Sequence, residues 1–303
     1  MLEPPDIRVI YFIGLTTGRS SIMSVFPAWA EYLGLGCCRI EGIDLLARAP
    51  ASAYREVVKN IDSNPRAAGA VVTAHKIDLL NACRNLFAEL DPHAQLLGEV
   101  SAIGKRGGKL IGMAKDPLTS GLALNAFLPE NHWHTGAAAC ILGAGGAAAA
   151  LAVRLLAEEH PPHIVMTERN ADRLDRVKNM RLGDIEFHHC PAPRDNDAAV
   201  NSLPPGSLIV NATGLGKDAP GSPLTDNAVF AESGYVWDFN YRGDLLFLAQ
   251  ARARQTERRL HVEDGWRYFI HGWAQAIAAI FEIEVSNGGP RFEELCAIAV
   301  KSR

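Results

Sequence analysis

The chain has 303 residues, 48% of them hydrophobic and 21% charged, a composition that excludes a disordered or fibrous protein and leaves room for two globular domains. A formal net charge of −4 provides no basic excess for a nucleic-acid backbone, and no apolar run reaches the roughly 20 residues of a membrane span. The first residues also lack the basic start and cleavage pattern of a signal peptide, so small-molecule chemistry in the cytoplasm is the expectation, with neither nucleic acid nor membrane as partner.

In chain order, the first third alternates apolar strands with amphipathic helices: IRVIYFIG, IMSVFPAWAEYLG, CCRIEGIDL, ASAYREVVKNI, GAVVT and KIDLLNACRNLF. This is the pattern of a helix-covered, mostly parallel sheet. A hairpin is expected over 101–114 with KRGG as its turn, then a helix opening at Pro117 with Asp116 in the N-cap position. That helix is expected to bridge two domains. After the polar, His-rich stretch 129–136 the alternation restarts with AACIL, GGAAAALAVRLLAEE, HIVMTE, ADRLDRVKNM, SLIVNA and YVWDFN. The end is helical. Trp266, Phe269, Ile270, Trp273, Ile277, Ile280 and Phe281 form one core-facing stripe, and RFEELCAIAV closes the chain as an amphipathic helix.

Two places carry chemistry. Lys76 sits where the strand GAVVT runs into a helix, a junction that presents side chains to a cleft; the competing reading is a solvated lysine on a surface helix. His75 beside it is a rival acid–base group. The six cysteines include no CxxC pair and lie mostly in apolar stretches, so packed, reduced thiols and no metal site are expected.

In CILGAGGAAAALAVRLL, Gly143, Gly145 and Ala148 fill GxGxxG/A directly after a strand and at the opening of a helix. Gly143 permits the tight turn, Gly145 lets the backbone approach a pyrophosphate, and Ala148 allows close helix–sheet packing. With Ala144, Gly146 and Ala147 they form a helix start whose N–H groups suit phosphate. Glu168 ends the next strand, where an acid suits an adenosine ribose diol, while Arg169 and Arg173 suit a 2′-phosphate. These signals oppose each other. The cofactor is NAD or NADP, with the lean toward NAD because Glu168 would repel a phosphate.

Together these motifs resemble the shikimate dehydrogenase family over nearly the whole length. The family's NVTxPxK signature appears at Val71 to Lys76 with one residue fewer or with Thr73 displaced, its aspartate matches Asp116 in GMAKDPLTSG, and its NATS/G loop matches Asn211, Thr213 and Gly214. Its DxxY segment matches DFNY, holding Phe239 and ending at Tyr241, and its DG before a long helix places Gly265 beside the nicotinamide. The resemblance implies an N-terminal substrate-binding α/β domain over 1–115, completed by about 272–303, and a Rossmann domain over 116–271. It implies hydride transfer between NAD(P) and a cyclic hydroxy acid or polyol, such as shikimate, quinate or a related cyclitol, as in aromatic amino acid biosynthesis. Lys76 would serve the carbonyl oxygen across a cleft and Asp116 would orient it.

Departures fall where substrate identity is decided. The family's paired serines fall on Ser20 and Ile22, the asparagine of AVNT on Ser101, and that of NTD on Ala114 or Lys115. The glutamine of the last helix falls on Gly272, with Gln275 one turn later, and the proline after DxxY on Gly243. Thr73, Ser20, Ser101, Tyr241 and Gln275 are the substrate-binding candidates. Two alternatives stand beside the enzyme: a dinucleotide- or metabolite-sensing protein without turnover, and a folate-type or other Rossmann dehydrogenase. Oligomeric state is not legible, and a homodimer stays open.

Overall fold

The computed structural model describes residues 7–217 and 219–302. Its contacts divide the chain into two units, Met1–Asp116 with Ile270–Arg303, and Pro117–Phe269.

The first unit is built on strands β1 (Arg8–Gly14), β2 (Cys38–Asp44), β3 (Ala67–Val72), β4 (Glu89–Leu90), β5 (Ala102–Arg106) and β6 (Lys109–Met113), in the order β2-β1-β3-β5-β6-β4. β1 runs parallel to both β2 and β3, while β5 is antiparallel to β3 and β6. All six residues of β3 are buried, which its small and β-branched side chains permit. The β5–β6 turn is the two glycines Gly107 and Gly108, at φ of 54° and 74°, the left-handed pair that a two-residue hairpin of this twist requires.

Helices α1 (Ile22–Tyr32), α2 (Ala51–Ser63), α3 (Lys76–Cys83) and α4 (Pro92–Leu97) belong to the first unit. α2 buries Tyr54, Val58 and Ile61, one stripe at helical spacing. The closing helix α11 (Gly289–Lys301), numbered here in chain order after the helices given below, returns to this unit. There the Trp29 indole, fully buried on α1, donates to the Leu295 carbonyl at 3.0 Å.

The second unit holds a wholly parallel sheet of β7 (Ala139–Leu142), β8 (Ile164–Glu168), β9 (Glu186–His189), β10 (Leu208–Asn211), β11 (Tyr235–Asp238) and β12 (His261–Glu263), ordered β12-β11-β10-β7-β8-β9. Its helices are α5 (Asp116–Leu124), α6 (Gly146–Leu156), α7 (Ala171–Met180), α8 (Pro193–Asn201) and α9 (Leu246–Arg258), and α10 (Trp266–Phe281) follows. β7 and β10 are buried throughout, as central parallel strands covered on both faces must be. Ala148, Ala149, Ala150 and Ala152 are buried on α6, so the helix lies close to the sheet.

Sequence pattern passes over β4, α4, β9, α8, α9 and β12. β4, β9 and β12 are edge strands of two to four residues with polar content, too short for alternation to show. The expected stripe on the long helix divides: Ile270, Trp273, Ile277, Ile280 and Phe281 are buried, whereas Trp266 and Phe269 are half-buried. The unit boundary falls between Phe269 and Ile270, so one stripe serves two cores. Among the described residues no helix is long and apolar enough to cross a membrane.

Candidate active site

In the first unit, β1, β2 and β3 end together at Gly14, Asp44 and Val72, with Gly14 opposite Asp44 and Ile13 opposite Val72. β5 begins and β6 ends at the same edge, since Ala102 lies opposite both Val71 and Met113. β1 has β2 on one side and β3 on the other, which makes this carboxyl edge a topological switch point, the usual ligand position in an open α/β sheet.

Lys76 is the first residue of α3, tied to this edge at both backbone groups: its N–H donates to Thr73 O at 3.2 Å and its carbonyl accepts from Val100 N–H at 3.2 Å. Its ammonium forms an ion pair and hydrogen bond with Asp116 Oδ2, with only 20% of the lysine side chain and 10% of the aspartate side chain exposed. It is therefore not the solvated lysine that the local pattern also allowed. Burial acts to lower the Lys76 pKa, but the charges of Asp116 and Glu99 and the bond to Asp116 outweigh it, and the net shift is upward. Lys76 is an ammonium at neutral pH. Asp116 is itself the first residue of α5, where the sequence expects it just outside in the N-cap position.

The other first-unit candidates are largely committed to the scaffold. Thr73 donates from N and from Oγ1 to Ile13 O, at 3.0 and 3.3 Å, stitching β3 to β1. Ser101 Oγ donates to Met113 O at 3.4 Å and accepts from Lys115 N–H at 2.8 Å. Gln275 Nε2 donates to Asn287 Oδ1 at 2.6 Å. Ser20 is buried just after the 3-10 turn Thr17–Arg19, and Ile22, two residues on, is wholly buried. His75, the rival acid–base group, is 2% exposed, with Nδ1 bonded to Tyr54 OH at 2.9 Å and Nε2 to Leu45 O at 3.2 Å. Both of its ring nitrogens already have partners, so it is structural.

Sequence reasoning missed two carboxylates here. Glu99 is fully buried and acts on the Lys76 charge. Asp44 Oδ1 accepts from Thr17 N–H at 2.7 Å and from Thr17 Oγ1 at 2.6 Å, and these bonds lower its pKa. The signal for Glu99 was a charge in the apolar segment that leads into the hairpin; nothing local marked Asp44.

In the second unit, β7 and β10 adjoin at the reversal of strand order. Gly143 has φ 109°, and a Cβ there would lie 3.0 Å from the Ala212 carbonyl carbon and oxygen, so only glycine lets the turn pass the NATG loop. Gly145 is the N-cap of α6 in extended conformation, and a Cβ on it would meet nothing within 4 Å, which leaves open the approach that a pyrophosphate needs. Gly146 and Ala147 open the helix beside it, half-buried. Ala144 is different: its N–H donates to Glu168 Oε2 at 2.9 Å and its carbonyl accepts from Arg176 Nη2 at 3.4 Å. Glu168 Oε1 accepts from Asn170 N–H at 3.0 Å, so this carboxylate braces the glycine-rich turn. Arg176 is a brace that sequence reasoning did not mark. A cavity of about 100 Å³ beside this turn is bordered by Gly143, Glu168, Arg169, Arg173 and Thr213, and both arginines are exposed.

Asn211 is wholly buried and builds the NATG loop from inside, donating to Leu215 O and Asp238 Oδ2 and accepting from Thr213 N–H and Oγ1. Gly214 follows at φ 78°. Burial pushes the Asp238 carboxyl up to about 7, against the bonds from Asn240 and Asn211. Phe239 packs on Trp237 and Tyr268, each at 4.6 Å, and a Cβ on Gly265 would come within 2.1 Å of the Phe239 carbonyl oxygen. Tyr241 is buried against Trp266 and Phe269, at 5.2 and 4.7 Å. All six cysteines are free thiols, and the described residues hold no cluster of three or more metal-ligating side chains.

This is a two-unit α/β protein with a Rossmann half, and each of its two sheets has a switch point in its strand order. No family model matches the chain. It is 30% identical over 177 residues to the shikimate dehydrogenase (NADP(+)) of Streptococcus thermophilus, covering 55% of this chain and 58% of that protein. To the enzyme of the same name from Rhodopseudomonas palustris it is 25% identical over 255 residues, covering 82% and 84%. The first match thus spans less than two thirds of the relative's length. In fold, the shikimate dehydrogenase crystal structure from Aquifex aeolicus gives a TM-score of 0.76 at 18% identity over 99% of both chains. That from Thermus thermophilus, in complex with NADP(H) and shikimate, gives 0.72 at 22% over 98% and 100%. The fold is that of the shikimate dehydrogenases, and the resemblance to that family carried by the motifs is borne out.

Proposed function

We propose that the chain is an NADP-dependent oxidoreductase of the shikimate dehydrogenase type, interconverting a cyclic hydroxy acid or polyol and its ketone. The observation that carries this reading is the Lys76–Asp116 pair, secluded at the switch point of the first unit. An ammonium held charged by a carboxylate is suited to donate a hydrogen bond to a substrate carbonyl and then its proton to the forming alkoxide. Asp116 orients the ammonium; in the reverse direction the amine takes the hydroxyl proton. The nicotinamide supplies or removes the hydride when bound. Gly145, Gly146 and Ala147 would hold its pyrophosphate at the start of α6, and the open space over Gly145 fits that group.

The lean toward NAD is replaced by NADP. Both Glu168 oxygens accept backbone N–H bonds, one from Ala144 in the glycine-rich turn and one from Asn170, so the carboxylate already has a structural task, while the Arg169 and Arg173 side chains border the cavity and suit a 2′-phosphate. The curated relatives named above carry NADP(+) in their names. A non-catalytic sensor has no use for a secluded acid–base pair.

The test is turnover of a panel of cyclic hydroxy acids and polyols with NADP and NAD, followed at 340 nm. NADP is expected to be preferred, and Lys76→Ala to lose about 10²–10⁴-fold in kcat while NADPH binding persists. Lys76→Arg, which keeps the charge but cannot readily give up its proton, should also fail in turnover. Near-normal turnover of either variant refutes the assignment of Lys76, and NADPH binding without turnover of any panel member by the parent protein favours the sensor.

A further inference from the structure

Resting on that oxidoreductase reading, we propose that Glu99 makes the substrate site one for an uncharged polyol or hydroxy-ketone rather than for a carboxylate-bearing substrate. Glu99 lies between Gly98, which ends α4, and β5, and the next residue, Val100, is bonded to the Lys76 carbonyl. Both Glu99 carboxylate oxygens are sealed from solvent. The edge therefore sets the carboxylates of Glu99 and Asp116 against the Lys76 ammonium, and the exposed Asp44 carboxylate ends β2 at the same edge. Lys115 adds little, because its ammonium is directed to Asp91 Oδ2 at 3.4 Å, and His75 is locked between Tyr54 and Leu45. A substrate carboxylate placed beside Lys76 would add another anion to a group in which the lysine's charge is already shared by two carboxylates.

The hydrogen-bond inventory points the same way. Three of the hydroxyl protons that could grip a carboxylate go elsewhere: Ser101 donates to Met113 O, Thr73 to Ile13 O and Thr17 to Asp44 Oδ1, and of the expected serine pair Ser20 is buried. Ile22 offers none. What the edge presents to solvent is the Asp44 carboxylate, and an acceptor binds the hydroxyl groups of a polyol, which donate. The net upward shift of the Lys76 pKa agrees with an anionic surrounding.

The experiment uses the full chain with NADP+ and two probes that differ by one charge, shikimate and its primary carboxamide. Binding is read by tryptophan fluorescence and oxidation at 340 nm, for the parent protein, Glu99→Gln and Asp44→Asn. Asp44 is exposed, so the second variant keeps the test open if the first does not fold. The parent is expected to favour the carboxamide by at least about tenfold. Glu99→Gln should shrink that preference about fivefold or more, and Asp44→Asn about twofold, with NADP+ affinity unchanged. Equal or tighter binding of the acid by the parent, or a ratio that neither substitution moves, overturns the inference. NADP+ binding with no oxidation of either probe would instead count against the oxidoreductase reading, and the ratio of binding constants would still decide this one.

Discussion

Replacing Lys76 by methionine removes the ammonium and keeps most of the side-chain volume, and the structure sets what that costs. Asp116 is one-tenth exposed at its side chain and Glu99 is wholly buried, so the variant strips two carboxylates of the cation they share. Removing one partner of a buried pair costs about 3–5 kcal/mol, and the one-fifth exposure of Lys76 places this case toward about 3. For a domain of this size that is roughly 6–12 °C in Tm. The sign with pH follows from the carboxylates. Without the cation, two carboxylate charges stay buried with no opposite charge, so the penalty is smallest in acid, where carboxylates take up protons, and grows as pH rises. Lys76 in the parent adds no slope there, because an upward-shifted lysine contributes fully below its unfolded pKa, near 10.4, and loses that contribution only as pH rises through the folded value. Asp116→Asn should cost less, about 1–3 kcal/mol, since Lys76 keeps Glu99. Urea unfolding at pH 4, 6 and 8, read by hydrogen exchange of the β1 and β3 amides, reports the first unit alone. A pH-independent gap between the parent and Lys76→Met, or a larger loss for Asp116→Asn, refutes the two-carboxylate argument.

Gly145→Val should leave the fold intact, because the residue is extended and its Cβ would meet no protein atom within 4 Å, yet should weaken NADPH binding at least about 100-fold by filling the pyrophosphate approach; fluorescence titration beside a thermal melt separates the two effects. In the second unit, Asp238 is raised to about 7 by burial, so its contribution is present below the unfolded value, near 4, and is lost as pH rises through 7. Asp238→Asn should flatten the stability of β10 and β11 between pH 4 and 7.5, a change on the order of a few kcal/mol, measured by their amide exchange.

Where the sequence was legible, one residue type admitted one physical use. Gly143 and Gly145 could be placed before any coordinates because the strand, turn and helix around them follow from local pattern, and the structure finds a close backbone approach at one and open space at the other. Lys76 and Asp116 were legible as a pair only through the family resemblance, since 40 residues separate them and no periodicity links a strand-end lysine to a helix-start aspartate. Asn211 illustrates the opposite limit. Its position in the loop is as expected, but its amide is turned inward to Leu215, Thr213 and Asp238, a choice made by burial that no motif encodes. Glu168 likewise reads as a ribose ligand from spacing, while its carboxylate is held by the N–H groups of Ala144 in the glycine-rich turn and Asn170 just after its own strand.

The same logic explains why substrate class is harder to read than fold. The parallel strands β1, β2 and β3 fix an edge with backbone atoms alone, and any sequence with their burial pattern would make it. What that edge binds depends on where a few protons go. Ser101 looks like a substrate hydroxyl in the sequence, but Lys115 N–H and Met113 O engage both its acceptor and its donor, and Thr17 spends its hydroxyl on Asp44. Each such bond converts a donor available to a ligand into scaffold and leaves acceptors exposed. The two carboxylates that act on Lys76, Asp116 and Glu99, then set the sign of charge that can enter, so the chemistry of this edge is decided less by the lysine than by the groups that already share it.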